Sequence, residues 1–536
     1  MNKFTLAALA VIIGISVLLN VYQQPVSPPC FNADEAAFSY NAFSILKTGR
    51  DEYGAFLPLR LKSFGDYKMP LLTYLSIPFI AVMGLNEGSA VMINHLLSAL
   101  FPIIVFLLIR ELTKKDIPSL LGALLVSTSL GLHIVGRHVH EAYLGAFMIT
   151  LTTWLFLRLL RKTTWKNAAS FSISLLLSLF AYQSNRIFAL YFGLAAGTYI
   201  VAGQMKTRRT RGMILAAVVA VFLLFEVTDI IYKPARVNNL VFFNNAGYGL
   251  KIAELRGEGG PRIFYNKLVY GIQTVILEHA TYFSPQFLAQ NGDANYRFGY
   301  PEMPPMTIVE YACALIGFYY IFRRKEPWRF FVSGLVLIAP LSASLSWAHD
   351  SLTRPLFLFV PVLSIAGYGL YHLFNDLRPN RLAVAGLIGT VVLGELYFQF
   401  FSWDFYLNHY PKRAIVARSW QCGYRGLSDY IKSTYDKTGR YYITKKNGEP
   451  YIMMLFYLQY PPAQYQRQAQ LSTPDEYGFG QVERFDKFDF NFKIPKDGPA
   501  AVIGYPDDFS GTGITEQNVR KVRQGNEDIF WIYEVK

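Results

Sequence analysis

Residues 32–54 read NADEAAFSYNAFSILKTGRDEYG, and they follow shortly after an apolar run, residues 4–22, that contains no charged side chain. A run of this length can cross a bilayer. Two carboxylates, Asp34 and Glu35, then stand at the head of a segment whose pattern predicts an amphipathic helix. Asn32 can accept hydrogen bonds from amides at the helix start, and Glu35 has the spacing of a capping box. The pattern predicts a capped helix just outside the first span and leaves open whether its carboxylates also do chemistry.

The composition indicates a polytopic membrane protein. The 536 residues are 52% hydrophobic and 16% charged, with a mean hydropathy of +0.23, which is too apolar for an ordinary soluble enzyme. The net charge is +14, but Lys and Arg occur in short clusters between apolar runs, a pattern that indicates membrane orientation. We therefore expect no nucleic-acid partner.

Apolar runs of membrane-spanning length recur along the chain, and together with the first run they number about eleven. The first run is interpreted as an uncleaved anchor. The positive clusters between the runs alternate as the positive-inside rule requires when the N-terminus lies in the cytoplasm. The predicted spans are residues 4–22, 90–109, 117–135, 142–160, 168–183, 187–204, 212–231, 308–322, 330–347, 355–374 and 382–401.

Three polar parts are then predicted to lie outside the membrane. They are a first loop, residues 23–87, a middle loop, residues 232–307, and the C-terminal tail, residues 402–536. Short strand-like and helix-like patterns in the tail predict a small α/β domain, and residues 262–283 suit a helix lying in the membrane interface. We expect a membrane domain over residues 1–401, an extracytoplasmic domain after it, and a functional face on the outside of the cytoplasmic membrane.

Cysteine and histidine usage gives little evidence for a metal site. The three cysteines, Cys30, Cys313 and Cys422, supply neither a disulfide framework nor a thiolate site, and a bridge between Cys30 and Cys422 is the less favoured reading. The external histidines, among them His279 and His409, are too scattered to show ligand spacing. Dependence on a divalent metal is left open.

Three arginines lie at predicted outer membrane edges, against the orientation rule: Arg137, Arg186 and Arg354. One such arginine alone is explained by a side chain that extends to lipid phosphate. Three on the same face indicate a site for an anionic group, with phosphate the natural candidate.

Glu141 follows Arg137 by four residues, so on one helix the two would share a face and could form a local ion pair. The alternative is that Glu141 meets Asp34 and Glu35 when the first loop folds back on the bundle. Carboxylates beside basic groups suit a reaction in which one partner loses a proton while a phosphate leaves the other.

Lys68 belongs to the segment FGDYKMPLLTYLSIPF, residues 64–79. It precedes Pro70 and an apolar stretch that ends at Gly84 and is too short to span comfortably, which predicts a re-entrant or interfacial helix. Lys68 would lie at the start of that helix, where it is well placed to share an anion.

An external DE after a single span, an amphipathic helix, GDYKMPL, and an arginine and an acid at the head of a later span together resemble the GT-C glycosyltransferases. Within that superfamily they resemble the bacterial members of the branch that holds protein O-mannosyltransferases and the lipid A aminoarabinose transferase (glycosyltransferase family 39). The resemblance implies a GT-C membrane fold. It also implies transfer of a hexose or pentose, with inversion, from a polyprenyl-phosphate sugar to a hydroxyl of a protein, lipid or cell-surface glycan.

By position, the resemblance also implies roles for single residues. Asp34 matches the catalytic acid of the first loop, with Glu35 beside it, and Glu141 matches the second acidic position. Lys68 matches the lysine that contacts the carrier phosphate. The three external arginines are weaker matches to phosphate-side arginines of the family. The predicted substrate-binding residues are Tyr67, Tyr143, His279 and Arg297.

A transporter or flippase of a lipid-linked or anionic substrate is the alternative. Such a protein would need charged residues deep within its spans. The charges present, Glu226, Asp229 and Glu395, lie near span ends. The sequence therefore favours surface chemistry on a membrane scaffold.

Overall fold

The computed structural model describes residues 2–201, 208–232, 246–346, 350–377, 381–473 and 482–536. The chain divides into two compact units. The first contains Met1–Tyr22, Asn94–Lys233 and Val237–Tyr406, and the second contains Gln23–Ile93 and Leu407–Lys536. The first loop and the C-terminal tail, which lie far apart in the chain, therefore fold together.

Both units contain helices, and strands occur in the second unit. The helices, numbered along the described chain, are α1 (Lys3–Val21), α2 (Ala33–Thr48), α3 (Leu71–Met83), α4 (Glu87–Thr113), α5 (Asp116–Thr128), α6 (Leu130–Gly136), α7 (Glu141–Arg161), α8 (Trp165–Ala181), α9 (Arg186–Val201), α10 (Arg208–Tyr232), α11 (Ala246–Gly257), α12 (Lys267–Thr281), α13 (Ile308–Arg323), α14 (Arg329–Ile338), α15 (Leu341–Ser344), α16 (Phe359–Leu377), α17 (Arg381–Asp404), α18 (Ala414–Ser419), α19 (Tyr424–Thr434), α20 (Pro450–Tyr457) and α21 (Pro462–Gln468). The strands are β1 (Leu61–Ser63), β2 (Asp66–Lys68), β3 (Arg440–Ile443), β4 (Gln470–Leu471), β5 (Val482–Phe485), β6 (Phe488–Asp489), β7 (Ala500–Gly504), β8 (Arg520–Gln524) and β9 (Glu527–Val535).

The chain is a multi-pass membrane protein. Among the described residues, six helices are long and apolar enough to cross a bilayer, or seven if α5 and α6, bent by 54°, form one broken span. Each predicted span falls on helix, but length and composition give fewer spans than the expected eleven or so. The reason is that several of the helices are short: α8 has 17 residues, while α9 and α13 have 16 each. The predicted run 330–347 is divided between α14 and α15.

The helices α5, α13 and α16 approach one another closely at glycines. A Cβ atom on Gly367 would lie 2.4 Å from the amide nitrogen of Gly122, and one on Gly369 would lie 2.5 Å from that of Gly317. Membrane helices gain stability mainly from such close packing, because lipid is as apolar as their side chains. These glycines are therefore part of the packing of the first unit.

The tail forms the predicted α/β domain. Its seven described strands form one sheet in the order β4-β5-β6-β3-β7-β9-β8. The central strand β3 runs parallel to both of its neighbours, β6 and β7, while the other pairs are antiparallel. Side chains such as Tyr441, Ile503 and Phe530 are fully buried in its core. Helix α2 of the first loop packs against α20 and α21 of this domain, which explains why loop and tail form one unit.

A disulfide joins Cys30 to Cys422, with Cα atoms 5.3 Å apart. The expectation that these residues are not bridged was therefore wrong. The two cysteines are 392 residues apart, and nothing in their spacing indicates that the first loop folds onto the tail. Cys313 is free and buried.

Candidate active site

The start of α2 is capped as its sequence predicts. The Asn32 side chain accepts hydrogen bonds from the amides of Asp34 and Glu35, at 2.9 and 3.2 Å. The Glu35 carboxylate in turn accepts from the Asn32 amide at 3.0 Å, which completes a capping box. Since Asn32 provides the cap, the Asp34 carboxylate is not needed for it.

Asp34 forms an ion pair with Lys68 instead. The distance from Nζ of Lys68 to Oδ1 of Asp34 is 2.6 Å, and the two side chains are 6% and 43% exposed, respectively. The Lys68 ammonium also lies over the rings of Phe38 and Phe64, with 4.9 and 4.5 Å to the ring centres. The lysine is thus fixed within the protein, while the carboxylate faces the more open side.

The sequence predicted that Lys68 lies at the start of a helix. In the structure it lies at the end of a hairpin. It is the last residue of β2 and pairs with Leu61 of β1. The turn places Phe64 and Gly65 at positive φ, 55° and 79°, as a tight hairpin requires. The predicted apolar helix does follow, as α3, and ends at Gly84. The hairpin brings Lys68 against α2.

A buried acidic pair, which the sequence analysis did not single out, lies behind this ion pair. Asp51 and Glu52 are 0% and 2% exposed. Burial, followed by the nearby Asp51 carboxylate, raises the pKa of Glu52 to about 8, and the Lys68 ammonium opposes that rise. Burial also raises the pKa of Asp51. Both residues are in the opening stretch of sequence, but no periodicity marks them as buried.

Side chains from both parts of the second unit hold Glu52. The hydroxyl of Tyr451 in α20 donates to its carboxylate at 3.3 Å, and Ser63 of β1 forms a further hydrogen bond. The Asn41 side chain accepts from the Glu52 amide at 2.9 Å and donates to Ser63 at 3.3 Å. The tail thus contributes directly to the surroundings of Lys68.

A polar cleft of about 730 Å³ opens within the second unit beside the start of α2. Its walls include Glu35, Glu87, Gln421, Arg425 and Tyr457. Glu87 pairs with Arg425 and accepts a hydrogen bond from Tyr457 at 2.6 Å. Carboxylate, amide and guanidinium groups of this kind suit a ligand that carries hydroxyls.

Arg137 stabilises the end of the first span. It is fully buried, and its guanidinium donates to the carbonyls of Leu19 and, at 2.7 Å, Tyr22 at the C-terminus of α1. It is also the C-cap of α6, whereas Glu141 begins α7. The expectation that Arg137 and Glu141 share one helix face was therefore wrong, because one helix ends and another begins between them.

The other predicted residues of the first unit lie in two places. Arg186 pairs with Asp229 at 2.5 Å and lies over the ring of Phe225, at 4.8 Å. Arg354 and Glu141 both interact electrostatically with Tyr182. The structure thus brings Arg354 and Glu141 to one common neighbour and places Arg186 in a separate ion pair.

Near Arg354 is a second buried carboxylate, Asp293, which the sequence analysis missed. Its oxygens accept from the amides of Leu352, at 2.6 Å, and Asn295, at 2.8 Å. Burial raises its pKa to about 6, and the Arg354 guanidinium opposes that rise. The carboxylate supports the loop that leads to Arg354.

The four residues predicted to bind substrate are dispersed over both units. Tyr67 lies in β2, next to Lys68. Tyr143 is buried and packs edge-on against Phe101, with 5.5 Å between ring centres. In the first unit, His279 hydrogen-bonds Ser344 at 3.0 Å, and Arg297 lies over the Phe298 ring at 5.6 Å. Tyr67 alone of the four adjoins the Asp34–Lys68 pair in the chain.

The described parts of the chain contain no group of three or more His, Cys, Asp or Glu residues placed to hold a metal ion.

Two solved structures resemble the whole architecture. ArnT from Cupriavidus metallidurans in the apo state matches with a TM-score of 0.55 over 98% of this chain and 97% of that chain, at 11% identity. The Archaeoglobus fulgidus oligosaccharyltransferase, tethered with an acceptor peptide, matches with a TM-score of 0.54 over 85% of this chain and 63% of that chain, at 12% identity. Both are GT-C glycosyltransferases. The chain has the GT-C fold.

The GT-C likeness is structural only. The archaeal protein in complex with an inhibitory peptide and a dolichol-phosphate matches with a TM-score of 0.50 over 85% of this chain and 64% of that chain, at 14% identity. The chain spans 63% of the archaeal oligosaccharyltransferase and nearly the full length of ArnT. Comparison of the sequence with protein-family models and with curated proteins gives no match.

Proposed function

We propose that this protein is an inverting membrane glycosyltransferase that moves a sugar from a polyprenyl-phosphate donor to a hydroxyl acceptor. The acceptor class is a protein, lipid or glycan of the cell envelope. The observation that carries the proposal is the Asp34–Lys68 pair at the capped start of α2, in which a fixed cation and a more exposed carboxylate are in direct contact. The cation would stabilise the lipid phosphate, and the carboxylate would take the proton of the hydroxyl acceptor.

In the proposed reaction the acceptor oxygen attacks the anomeric carbon of the donor, and Asp34 takes the proton from that oxygen. The bond between the anomeric carbon and the phosphate oxygen breaks at the same time, so the electron pair leaves with the lipid phosphate. Lys68 stabilises the phosphate through a charge-assisted hydrogen bond. Because the phosphate is a good leaving group, a single base and a cation suffice.

The phosphate would also release the base from its partner. In the described state the Lys68 ammonium is within 2.6 Å of the Asp34 carboxylate, so a phosphate that binds Lys68 competes with Asp34 for it. The carboxylate then becomes available to the acceptor once the donor is in place. Arg137 and Arg186, two of the predicted phosphate contacts, already bond to groups of the protein, so the proposal rests on Lys68 for the phosphate.

The neighbours and the disulfide support the remaining parts of the proposal. The archaeal neighbour has been solved with dolichol-phosphate and with an acceptor peptide, which supports a lipid-phosphate donor and an external acceptor here. A disulfide in the unit that holds Asp34 favours an oxidising compartment. We therefore place the active face outside the cytoplasmic membrane.

The first test is Asp34→Asn in proteoliposomes supplied with radiolabelled undecaprenyl-phosphate mannose, glucose or arabinose and a cell-envelope extract. Because Asn32 provides the cap of α2, the substitution leaves the helix start intact, and the new amide accepts no proton. Turnover should fall by about a hundredfold or more. Asp436→Asn, an exposed aspartate of the same unit, is the control. An active Asp34→Asn protein would rule out Asp34 as the base.

The donor contact is tested in the same preparations by equilibrium binding of undecaprenyl phosphate. Lys68→Met should weaken binding by about tenfold, since one charge-assisted contact is lost. Lys62→Met is the matched control, because Lys62 belongs to the same hairpin and lies over the Tyr53 ring. Equal binding by wild type and Lys68→Met would remove the lysine from the donor site.

A further inference from the structure

The first four backbone amides of α2, which have no partner within a helix, all donate to side chains here. One of these side chains belongs to the distant tail. The amides of Asn32, Asp34 and Glu35 are satisfied within the capping box. The amide of Ala33, the residue before Asp34, instead donates to Oε1 of Gln421 at 2.9 Å, across 388 residues of sequence. Amides at this position of a helix usually have no partner within the helix itself. The tail thus completes the cap of the helix that carries Asp34.

Gln421 is itself held firmly. Its Nε2 donates to the carbonyl of Asn447 at 2.9 Å, and a Cβ atom added to Gly448 would lie 2.1 Å from that nitrogen. Both Gln421 and Asn447 have positive φ, 55° and 61°, which asparagine adopts readily but which is costly for glutamine. The next residue, Cys422, is in the disulfide to Cys30. The bond to Asn447 and the neighbouring disulfide therefore hold one amide oxygen of Gln421 opposite the Ala33 amide.

We propose that Gln421 is a positioning residue, through which the C-terminal domain sets the direction of the Asp34 carboxylate. Asp34 is bonded on one side to a residue anchored by Gln421 and makes its ion pair with Lys68 on the other. A shift of the first turn of α2 therefore changes the Asp34–Lys68 geometry directly. The proposal rests on the proposed role of Asp34 as the base.

A positioning role is consistent with the positive φ at Gln421. Backbone strain of this kind persists where the surroundings determine it and often lies beside functional groups. Displacing a reacting group by about 1 Å can slow a reaction by up to about a hundredfold.

The test compares two substitutions of Gln421. Gln421→Met keeps the length and removes the acceptor, so kcat for sugar transfer should fall by about tenfold or more while the Kd for undecaprenyl phosphate stays within twofold. Gln421→Glu keeps an oxygen for the Ala33 amide, so it should retain most of the rate even though it loses the bond to Asn447. Gln470→Met, an exposed glutamine of β4, is the control.

Hydrogen–deuterium exchange of the peptide over residues 31–38 provides a readout that needs no substrate. The protection of the Ala33 amide should fall in Gln421→Met and persist in Gln421→Glu. Unchanged protection in Gln421→Met, an unchanged kcat in that variant, or equal loss in both variants would overturn the positioning role. If wild-type protein transfers no sugar, the proposed function fails instead, and the exchange result still decides whether Gln421 holds the start of α2.

Discussion

At the scale of single residues, the candidate site contains one lysine, Lys68, and two carboxyl groups that differ in their exposure to solvent. Asp34 is 43% exposed, whereas Glu52, behind Lys68, is 2% exposed. Environment decides which carboxyl carries a proton at neutral pH. The pKa of Glu52, raised to about 8 by burial, keeps that side chain largely neutral at pH 7, so it competes little with Asp34 or a phosphate for the Lys68 ammonium.

The raised pKa of Glu52 makes a stability prediction with a definite sign. The pKa of Glu52 in the folded protein, about 8, lies above the ordinary value of 4.5. The contribution of Glu52 to the free energy of unfolding is therefore complete below pH 4.5 and is lost as the pH rises to about 8. Glu52→Gln cannot ionise and should therefore melt about 2 °C or more above wild type at pH 9. The difference should become smaller towards pH 5.

Thermal melts across pH 5 to 9 check this, with Glu483→Gln, an exposed acid of β5, as the matched control. A Glu52→Gln protein with the same pH dependence as wild type would show that Glu52 titrates normally in the folded state.

Local residue patterns predicted some of these features and missed others. The Asn32 and Glu35 spacing identified the capping box because both partners lie within one turn. Lys68 stays a predicted site residue, and its hairpin was missed because the turn is built from Phe64 and Gly65 and not from a typical Asn-Gly pair. Glu52 and Gln421 were missed because their roles depend on partners far away in the chain.

At the scale of elements, α2 depends on the tail as much as on its own sequence. It packs against α20 and α21. Cys30, which lies just before its first residue, is joined by the disulfide to the tail. Strand-like patterns in the tail predicted a small α/β domain, which its described sheet confirms. The association of that domain with α2 could not be predicted, because it joins segments separated by the whole membrane domain.

We expect the disulfide to stabilise the second unit. Cys30→Ser combined with Cys422→Ser should lower the melting temperature by several degrees, since closing a long loop restricts the unfolded chain. Reductant should lower the wild-type value similarly and leave the double variant unchanged. Cys313→Ser is the control for the loss of a thiol, although it is buried. Equal melting of wild type with and without reductant would contradict the pairing.

At the scale of the whole molecule, charge clusters and apolar runs determine the predicted sidedness. We expect the first loop and the tail on one face and the loop around Lys166 on the other. In a background with Cys313→Ala, Lys62→Cys and Lys496→Cys should react with a membrane-impermeant maleimide from outside intact cells. Lys166→Cys, exposed on the predicted cytoplasmic side, should react only after permeabilisation. Opposite results for positions 62 and 496 would overturn the topology.

The bond between Cys30 and Cys422 also makes the protein a covalent ring through almost its entire length. Among the described residues, every candidate span after α1 lies within that ring. A single proteolytic cut in any loop between the two cysteines therefore opens the ring without releasing a fragment, and the two pieces separate on a gel only after reduction. Damage to one loop would leave α2 and the tail tethered, and so the start of α2 stays linked to the domain that helps to cap it.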